Sequence, residues 1–446
     1  MTDAPQPVLS YEPIGAIPSS TREGTRAQKI AWVLYDCGNS GYGLVIAGPL
    51  FSAYFVRSLL PDGGLNVLGH TVGGDALWAI CTATGALMTA VCAPVLGAVA
   101  DIKGWTKRLF ITFALVGALL AMTSIFLKPG MWAAGAVMFV LSSFCFTTSI
   151  TFYNAFLPVL TRPERQGSLS GYGFAFGYVG GAVALIVSAM VLLPNAGMQI
   201  ALAFAGVWWL AFSLPAFFLL EETRPQAHAY DGPLLVAGFK RVGKTFANIR
   251  QYRMLFIFLV AFLLYSNGTD TVINISPAFA SSVPELDMNE TALVKVFLIV
   301  QFVAFGGALA FGWISDKVGN KRVILVTLVG WLIAVGCVFY VASPAQFTLA
   351  AVGIGVVLGG VQSSSRALMA KLAPESIRNE AFGFFSLAGK AVSVVGPLCY
   401  AALSTATGNP RMGVLAVLPF LLVGLVMMCW VKEPKAAVRD EVPALS

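Results

Sequence analysis

The sequence predicts an all-α membrane protein whose twelve membrane-spanning helices form two pseudo-symmetric halves of six. Three observations support this prediction: only 11% of the 446 residues are charged, the mean hydropathy is +0.80, and one loop motif occurs twice at matching positions. Soluble domains carry about 25% charged residues. This chain therefore has too little polar surface to face water on all sides.

The apolar stretches are long enough to cross a bilayer as helices. A span needs about 20 largely apolar residues, and the period-two alternation of a β-barrel is absent. The predicted spans lie near residues 30–56, 76–100, 109–127, 132–160, 168–192, 198–220, 254–280, 293–315, 323–342, 346–372, 380–404 and 411–431. The chain then divides into an N-terminal tail (1–29), a first half (30–220), a linker (221–253), a second half (254–431) and a C-terminal tail (432–446). No signal peptide is expected, because the first apolar run begins at residue 30.

The positions of Lys and Arg predict the orientation. With both termini in the cytoplasm, all but six of the 28 cationic residues fall in cytoplasmic segments, as the positive-inside rule requires. The net charge of +7 is therefore a topology signal and gives no support for a nucleic-acid partner. Short loops, short tails and a high Ala and Gly content favour a bacterial inner membrane, with a vacuolar membrane as the alternative.

One segment of the linker matches the phosphate-binding loop pattern G-x-x-x-x-G-K-[ST]. The match, "GFKRVGKT", runs from Gly238 to Thr245 and contains Gly243 and Lys244. A real loop of this kind follows a buried strand and opens a helix in an α/β domain, and the linker is too short to form one. We interpret the surrounding "FKRVGKTFANIRQYR" as a basic amphipathic helix on the anionic inner leaflet, and we expect no cofactor.

An internal repeat supports the division into halves. "GAVADIKGWTKR" follows the second predicted span and "GWISDKVGNKR" follows the eighth. Their aspartates, Asp101 and Asp316, are 215 residues apart, and so are Gly104 and Gly319. Taken alone, each loop could be a solvated turn with charges that set topology, but two copies at equivalent positions favour a shared role.

The two loops resemble the signature of the major facilitator superfamily, G-x-x-x-D-[RK]-x-G-x-[RK]-[RK]. The matching positions are Gly97, Asp101, Gly104 and Arg108 in the first loop and Gly312, Asp316, Gly319 and Arg322 in the second. The resemblance implies that each aspartate helps to hold the halves together in one access state. The first copy has Ile102 where a cation is usual and Trp105-Thr106 before its basic pair, which predicts a weaker charge network there.

Small residues recur every four positions on two spans, which allows close approach of helix backbones. The positions are Gly173, Gly177 and Gly181 on the fifth span and Ala304, Ala308 and Gly312 on the eighth. In the superfamily these spans face each other across the halves, so the resemblance makes both stripes candidates for a sliding contact. Packing within one half is the alternative.

Further stretches resemble one branch of the superfamily, the vacuole-effluxer family that includes the autophagy-related amino-acid exporter of fungal vacuoles. They are "WVLYDCGNSGYG", "FYNAFLP", "SGYGFAFGYVGG", "GGVQSSSRALMAKLAPESIRNEAFGF" and "GKAVSVVGP". The resemblance extends from residue 30 to 431 and implies export of amino acids. Where many relatives have Trp-Ala, this chain has Cys37-Gly38, which predicts a reshaped cavity.

Four charges inside the predicted spans are candidates for function, because a charge within a bilayer is costly. They are Asp36, Asp270, Arg366 and Lys390. By resemblance, spans one, four, seven and ten line the central cavity, which places the first three of these residues on cavity helices. Three roles remain open: binding a substrate charge, carrying a coupling proton, or forming an ion pair that closes a gate. Asp36 and Arg366 share a depth in the membrane, which makes them a candidate gate pair.

Uncharged polar residues are weaker candidates, because they also hydrogen-bond between helices. They are Asn39, Tyr153, Asn154, Tyr178 and Gln362. Catalytic motifs and paired metal ligands are absent from the sequence, so neither an enzyme nor a metal site is expected. The cysteines all lie in predicted spans without a C-x-x-C pair, so a disulfide framework is not expected and the cysteines are predicted to be small buried hydrophobic residues.

The sequence favours a monomeric secondary active or facilitative transporter of small polar solutes, with amino acids as the leading substrate class. Its partners would be a small-molecule substrate, the lipid bilayer and protons as a candidate coupling ion. The alternatives are a transporter of a sugar, peptide or drug-like solute, and a receptor or assembly protein that keeps a transporter fold without transport.

Overall fold

The computed structural model describes residues 23–434 except 62–64, 68–69, 223–232, 249, 287, 289 and 392–394. Within that part of the chain, eleven helices are long and apolar enough to cross a membrane. The remaining predicted span, the eleventh along the chain, is described as two helices, Arg378–Ala391 and Val395–Thr407, on either side of the gap at 392–394. The all-α membrane fold predicted from the sequence is confirmed.

The first six spans are built from helices with short breaks. They comprise Arg26–Val45, Pro49–Tyr54 and the π-helix Phe55–Leu59 (span one); Gly74–Lys103 (two); Thr106–Met122 and the 3-10 turn Thr123–Phe126 (three); Trp132–Asn154 and Leu157–Leu160 (four); Pro163–Arg165, Gln166–Ile186, Val187–Leu192 and Leu193–Ala196 (five); and Met198–Leu219 (six). A short antiparallel hairpin, which the sequence did not predict, joins spans one and two. Its strands are Leu65–Val67 and His70–Val72, with Leu65 paired to Val72.

The linker helix and the second half follow. The linker helix is Leu234–Ala247. The later spans comprise Arg253–Ser282 (seven), Glu290–Val318 (eight), Asn320–Phe339 (nine), Pro344–Leu372 (ten), the 3-10 turn Glu375–Ile377 with the two helices of span eleven, and Pro410–Leu415 with Leu418–Trp430 (twelve). We call the side of the bundle that carries the two signature loops the motif side; the sequence predicts that it is cytoplasmic.

Local sequence explains where the helices begin and end. Span one starts with a capping box, in which the Gln28 N–H donates to Thr25 Oγ1 and the Thr25 N–H donates to Gln28 Oε1 at 2.8 Å. Spans two and eight end at the signature glycines, Gly104 with φ of 65° and Gly319 with φ of 97°. Residues with a Cβ rarely adopt this backbone conformation, which explains why the signature has glycine there.

Small residues bring the halves into contact in two places. A Cβ on Gly97 of span two would collide with the backbone of Asn379 at the start of span eleven. In the other direction, a Cβ on Gly383 of span eleven would lie 2.6 Å from the Ala93 carbonyl of span two. Spans five and eight meet in the same way, since a Cβ on Gly171 would lie 2.5 Å from the Ala308 carbonyl and 3.0 Å from Gly312 Cα. Spans two with eleven and five with eight therefore form the interface.

The glycine stripe of span five has a different role from the predicted sliding contact. Added Cβ atoms at Gly177 and Gly181 would meet Ser40 of span one, and one at Gly173 would collide with the Asp36 carboxylate. The alternative, packing within one half, is therefore correct for Gly177 and Gly181, whereas Gly173 also faces Arg366 of the other half. On span eight, Ala308 and Gly312 do face span five, while Ala304 and Ala308 also pack against Gly359 of span ten.

The segment that resembles a phosphate-binding loop is helical throughout. Gly238 to Thr245 lie inside the linker helix. Gly238 packs closely against span two, since a Cβ added there would lie 2.9 Å from the Val95 carbonyl oxygen. Thr245 is buried. A helix points its N–H groups along its own axis and cannot form the loop that cradles phosphate. The predicted helix is present, but it ends at Ala247 instead of continuing to Arg253, and the match to the nucleotide motif is coincidental.

Candidate functional site

A buried ion pair joins the two halves. Nη1 of Arg366, on span ten, lies 2.7 Å from Oδ2 of Asp36, on span one. Both residues are buried, with 2% and 7% of their surface exposed. Charges so far from water are stable only when paired and hydrogen-bonded, so this contact ties the halves together in the present conformation.

The Arg366 guanidinium donates four hydrogen bonds to the first half, one of them to Asp36. Its Nε donates to Ser170 Oγ at 2.9 Å, its Nη2 donates to the Ser170 carbonyl at 2.8 Å, and its Nη1 also reaches Asn154 Oδ1 at 3.5 Å. Two aromatic rings lie close to it: the guanidinium carbon is 4.7 Å from the centre of the Trp32 ring and 4.1 Å from that of the Phe174 ring. Such cation–π contacts stabilise a desolvated cation further.

Local sequence positions these groups. Trp32 precedes Asp36 by four residues, so the two side chains share one face of span one. The Trp32 ring stacks on Tyr153 with ring centres 4.6 Å apart, and its Nε1–H donates to the Tyr153 carbonyl. On span five, Gly173 leaves the space that the ion pair occupies, because a Cβ there would collide with Asp36 Oδ2.

Sequence reasoning missed four residues of this site: Trp32, Ser170, Gly173 and Phe174. Two signals could have found them. Trp32 has helical i, i+4 spacing to an intramembrane acid, and the other three lie within the motif "SGYGFAFGYVGG" of span five.

The predicted polar residues gather around the ion pair. Asn39 Nδ2 donates to Asp36 Oδ1 at 3.2 Å, Asn154 reaches Arg366, and Tyr153 packs against Trp32. One helical turn from Arg366 on span ten, Gln362 accepts a 2.6 Å hydrogen bond from the Tyr178 hydroxyl, again across the halves. The structure thus brings Asp36, Asn39, Tyr153, Asn154, Tyr178, Gln362 and Arg366 into one cluster.

The other two predicted charges lie on spans seven and eleven. Asp270 lies on span seven and is partly exposed, one turn from the buried Asn267, whose side-chain oxygen accepts the Gly396 N–H. Lys390 lies on the first helix of span eleven, and its side chain is outside the described residues.

Each signature aspartate caps a helix of the opposite half. We call the contact of Asp101 with Asn379 and Glu380 the first latch. The backbone N–H groups of Asn379 and Glu380 each donate to Asp101 at 3.0 Å, and Asn379 Nδ2 donates at 2.7 Å. These N–H groups belong to the start of span eleven, where a negative charge satisfies unpaired donors and the helix dipole.

The second latch consists of Asp316 with Gly167 and Ser168. Their backbone N–H groups, at the start of span five, donate to Asp316 at 2.8 and 3.0 Å. The departures of the first loop from the signature had predicted a weaker charge network there. The structure gives the first latch one more hydrogen bond than the second among the described contacts, because Asn379 adds its side-chain amide.

The signature glycines shape these loops, and neither signature arginine is among the donors to the latch aspartates in the described contacts. Gly97 and Gly312 allow close helix approach, and Gly104 and Gly319 end their spans. The guanidinium carbon of Arg108 lies 5.8 Å from the centre of the Trp105 ring, and the Arg108 backbone N–H donates to Glu222. Arg322 is exposed. Two carboxylates that the sequence analysis missed, Glu222 after span six and Glu433 after span twelve, cap the starts of spans three and nine at equivalent places in the repeat.

Metal binding finds no support in the described part of the chain, where no group of three or more His, Cys, Asp or Glu side chains could hold an ion. All seven cysteines are free thiols, of which Cys337 and Cys429 are exposed. The predicted burial holds for Cys37, Cys81 and Cys145, whereas the remaining cysteines are half-buried or, like these two, lie at the surface of the bundle.

Comparison with solved structures shows the fold. A proton:xylose symporter of the major facilitator superfamily, bound to 6-bromo-6-deoxy-D-glucose, aligns with a TM-score of 0.71 at 13% identity, over 92% of this chain and 96% of its own. A bacterial homologue of the iron transporter ferroportin, in an outward-facing state, aligns with a TM-score of 0.67 at 16% identity, over 90% and 98%. These likenesses confirm the major facilitator fold.

Comparison with known sequences shows the family. A Bacillus subtilis protein called an uncharacterized MFS-type transporter, YxiO, is 28% identical over 417 residues, which is 91% of this chain and 95% of that protein. Autophagy-related protein 22-1 of Penicillium rubens is 24% identical over 85% of this chain and 79% of its own. Residues 24–441 match the sequence model described as "Vacuole effluxer Atg22 like". The chain therefore belongs to the Atg22-like vacuole effluxer family, and it is a multi-pass membrane transporter of the major facilitator type.

Proposed function

We propose that this transporter exports amino acids by alternating access, and that the Asp36–Arg366 pair couples substrate binding to opening of the gate. The observation that carries the proposal is that the two opposite charges of the pair come from different halves. When the halves separate on the motif side, this contact must break. The relatives called vacuole effluxers support the substrate class and the direction.

The physical argument concerns the charges that opening releases. A buried carboxylate and a buried guanidinium each cost several kcal/mol when left unpaired. An amino acid carries an ammonium and a carboxylate a few ångströms apart, so one molecule can pair with both Asp36 and Arg366. A zwitterion therefore stabilises the separated state far more than a neutral solute does, which gives transport its selectivity.

The site offers the contacts that such a substrate needs. Asn39, Asn154 and Ser170 already hydrogen-bond the two charged groups, and they can hold these groups in place while the ligand exchanges with the ion pair. Lys390, near the middle of span eleven, is a second candidate for binding the substrate carboxylate. Asp36 is also the candidate carrier of a coupling proton.

We further propose that residues 30–220 and 254–431 move as two bodies joined by the linker 221–253, in a bacterial inner membrane with the motif side in the cytoplasm. The basic residues of the motif-side loops support this orientation. The protein would act as a monomer.

The test is counterflow in liposomes with labelled amino acids, their amides and neutral solutes. Arg366→Met should weaken binding of the free acid at least tenfold more than binding of the amide, because only the acid offers a carboxylate to the guanidinium. Arg411→Met is the matched control, since Arg411 pairs with Glu285 at 3.3 Å far from the site. Lys390→Met tests the second cation in the same way.

Two further variants separate the roles. Equal loss of all ligands in Arg366→Met, with recovery when the charges are exchanged (Asp36→Arg with Arg366→Asp), would show that the pair is only a gate. If Asp36 carries the coupling proton, Asp36→Asn should lose pH-driven transport and keep substrate exchange. An absence of counterflow with every solute, in protein that is folded, would favour a non-transporting receptor.

A further inference from the structure

A basic cleft lies on the motif side of the second half, next to the second signature loop and away from the ion pair. It has a volume of about 460 Å³ between the start of span seven, the start of span nine and the end of span twelve. Its lining residues are Arg253, Met254, Ile257, Lys321, Cys429, Trp430 and Lys432. None of these residues takes part in the proposed transport mechanism.

Positive charge in the cleft is not neutralised by the neighbouring acid. Arg253 and Lys432 are exposed and make no hydrogen bond or ion pair with the described residues, while Lys321 Nζ uses one of its donors on the Cys429 carbonyl at 2.7 Å. The adjacent carboxylate, Glu433, is already held by Lys371 at 2.9 Å and by the N–H groups of Asn320 and Lys321. Three cations therefore line one cleft beside an acid whose charge is already paired.

The opposite wall of the cleft is apolar and continues along the membrane-facing surface. Trp430 is 62% exposed, and one turn and two turns below it on span twelve lie Val426 and Val423, both about half exposed. On span seven, Ile257 is followed by the exposed Val260. A molecule that fills this cleft thus meets cations at the membrane surface and hydrocarbon below it.

We propose that the cleft binds an anionic phospholipid of the motif-side leaflet, with its phosphate among Arg253, Lys321 and Lys432 and one acyl chain along Ile257, Val260 and Val426. Basic pockets between membrane helices bind anionic headgroups in this way, and tryptophan rings prefer the level of the headgroups. Free phosphate shares the charge but has no chain to fill the apolar wall, so the lipid is the better fit.

The experiment measures lipid retained by the purified full-length protein. The protein is placed in phosphatidylcholine nanodiscs with increasing phosphatidylglycerol, and bound lipid is counted by native mass spectrometry after release. Each cation near an anionic headgroup contributes about fivefold to affinity, so the variant R253Q/K321Q/K432Q should lose about 100-fold. The matched control is K103Q/K107Q/R165Q, which removes three motif-side cations of the first half and should retain phosphatidylglycerol like the unmodified protein.

Each other outcome overturns the proposal. Equal retention by the two triple variants would show that the cleft is not the site. Equal retention of phosphatidylcholine would show that charge is not recognised. Displacement of phosphatidylglycerol by millimolar inorganic phosphate would assign the cleft to a free phosphate.

A second measurement needs no variant. Cys429 lines the cleft, and Cys337, which is also exposed, lies near the other end of span nine and serves as an internal reference. Phosphatidylglycerol should slow maleimide modification of Cys429 at least threefold relative to Cys337, as measured by peptide mass spectrometry. An unchanged ratio of the two rates would contradict the proposal.

Discussion

The two latches occupy equivalent positions in the repeat, but they recruit different surroundings. In both, the aspartate at the end of one span caps a helix of the opposite half. The first latch is joined by the linker helix, because Arg241 forms an ion pair with Glu380 at 3.5 Å and donates to the Ser376 carbonyl. The second is adjoined by Lys371, which pairs with Glu433 at the end of span twelve.

This difference separates what the repeat requires from what each half adds. The helix cap is common to both copies, since backbone N–H groups at a helix start attract any nearby carboxylate. The charge added to the first latch comes from the linker, which follows only the first half. The charge added to the second latch comes from Lys371 on span ten, whose partner Glu433 has Glu222 as its counterpart in the first half.

Phe246 of the linker helix also contacts the second half: its ring centre lies 5.2 Å from that of Phe384 on span eleven and 5.7 Å from that of Phe256 on span seven. The linker helix therefore touches the second half directly beside the first latch.

The largest expected effect comes from removing the capping charges. Asp101→Asn should destabilise the conformation that is closed on the motif side by about 1–2 kcal/mol, because charge-assisted hydrogen bonds are lost. This change corresponds to roughly tenfold in the equilibrium constant between the closed and the open conformation. Asp316→Asn, with two such bonds instead of three, should cost less. The measurements are transport rate and substrate binding in inserted protein, and Glu164→Gln on the motif side is the control. Loss of substrate binding in Asp316→Asn would mean that this residue belongs to the substrate site.

A double-mutant cycle sharpens the comparison. Arg241→Gln leaves the buried Glu380 without its cation, so its effect on transport should depend on whether Asp101 is also changed. We expect about threefold slower transport for Arg241→Gln, with non-additivity toward Asp101→Asn and additivity toward Asp316→Asn. The exposed neighbour Lys240→Gln should have no effect. Equal coupling to both aspartates would refute the assignment of the linker to the first latch.

The surroundings of the second latch predict a change in acid stability. Burial raises the pKa of the Glu433 carboxyl, but the charge of Lys371 and the N–H groups of Lys321 and Asn320 outweigh it and hold the pKa below its ordinary value. A carboxyl with a lowered folded-state pKa stabilises the protein above its unfolded-state pKa, and this stability is lost as the pH falls through the folded-state value. Lys371→Gln should therefore lower the melting temperature near neutral pH and flatten its fall on acidification, because the folded-state pKa of Glu433 then moves up toward the unfolded-state value. An unchanged pH profile would count against this contact.

The smallest expected effect concerns the segment that resembles a nucleotide site. Lys244 is exposed on the linker helix, so Lys244→Ala should leave transport within about 20% of normal, within the range of ordinary surface substitutions. Transport should also persist in liposomes without ATP. A nucleotide requirement that disappears in Lys244→Ala would restore the motif to function and contradict the role of the linker as a packing helix beside the first latch.

The sequence predicted the charged residues of the candidate site better than it predicted the contacts that these residues make. Asp36 and Arg366 were identifiable because intramembrane charges are rare, and their common depth suggested a gate pair. The partners Ser170, Gly173 and Phe174 were harder to single out, because small and aromatic residues are frequent in every span. Glu222 and Glu433 were missed since carboxylates near loop ends look solvated until the helix starts that they cap are known.

The sequence by itself determined the membrane fold, the position of most spans and the repeat, because hydrophobic length and glycine-terminated loops are local properties that neighbouring residues specify. The tertiary structure alone decided which helix each signature aspartate caps, that the glycine stripe of span five packs against span one, and that the first latch has no fewer hydrogen bonds than the second. These contacts join residues that are distant in the chain, as in Asp36 with Arg366. Their partners depend on how twelve similar apolar helices pack, and that choice is made by shape and by the pairing of a few buried polar groups.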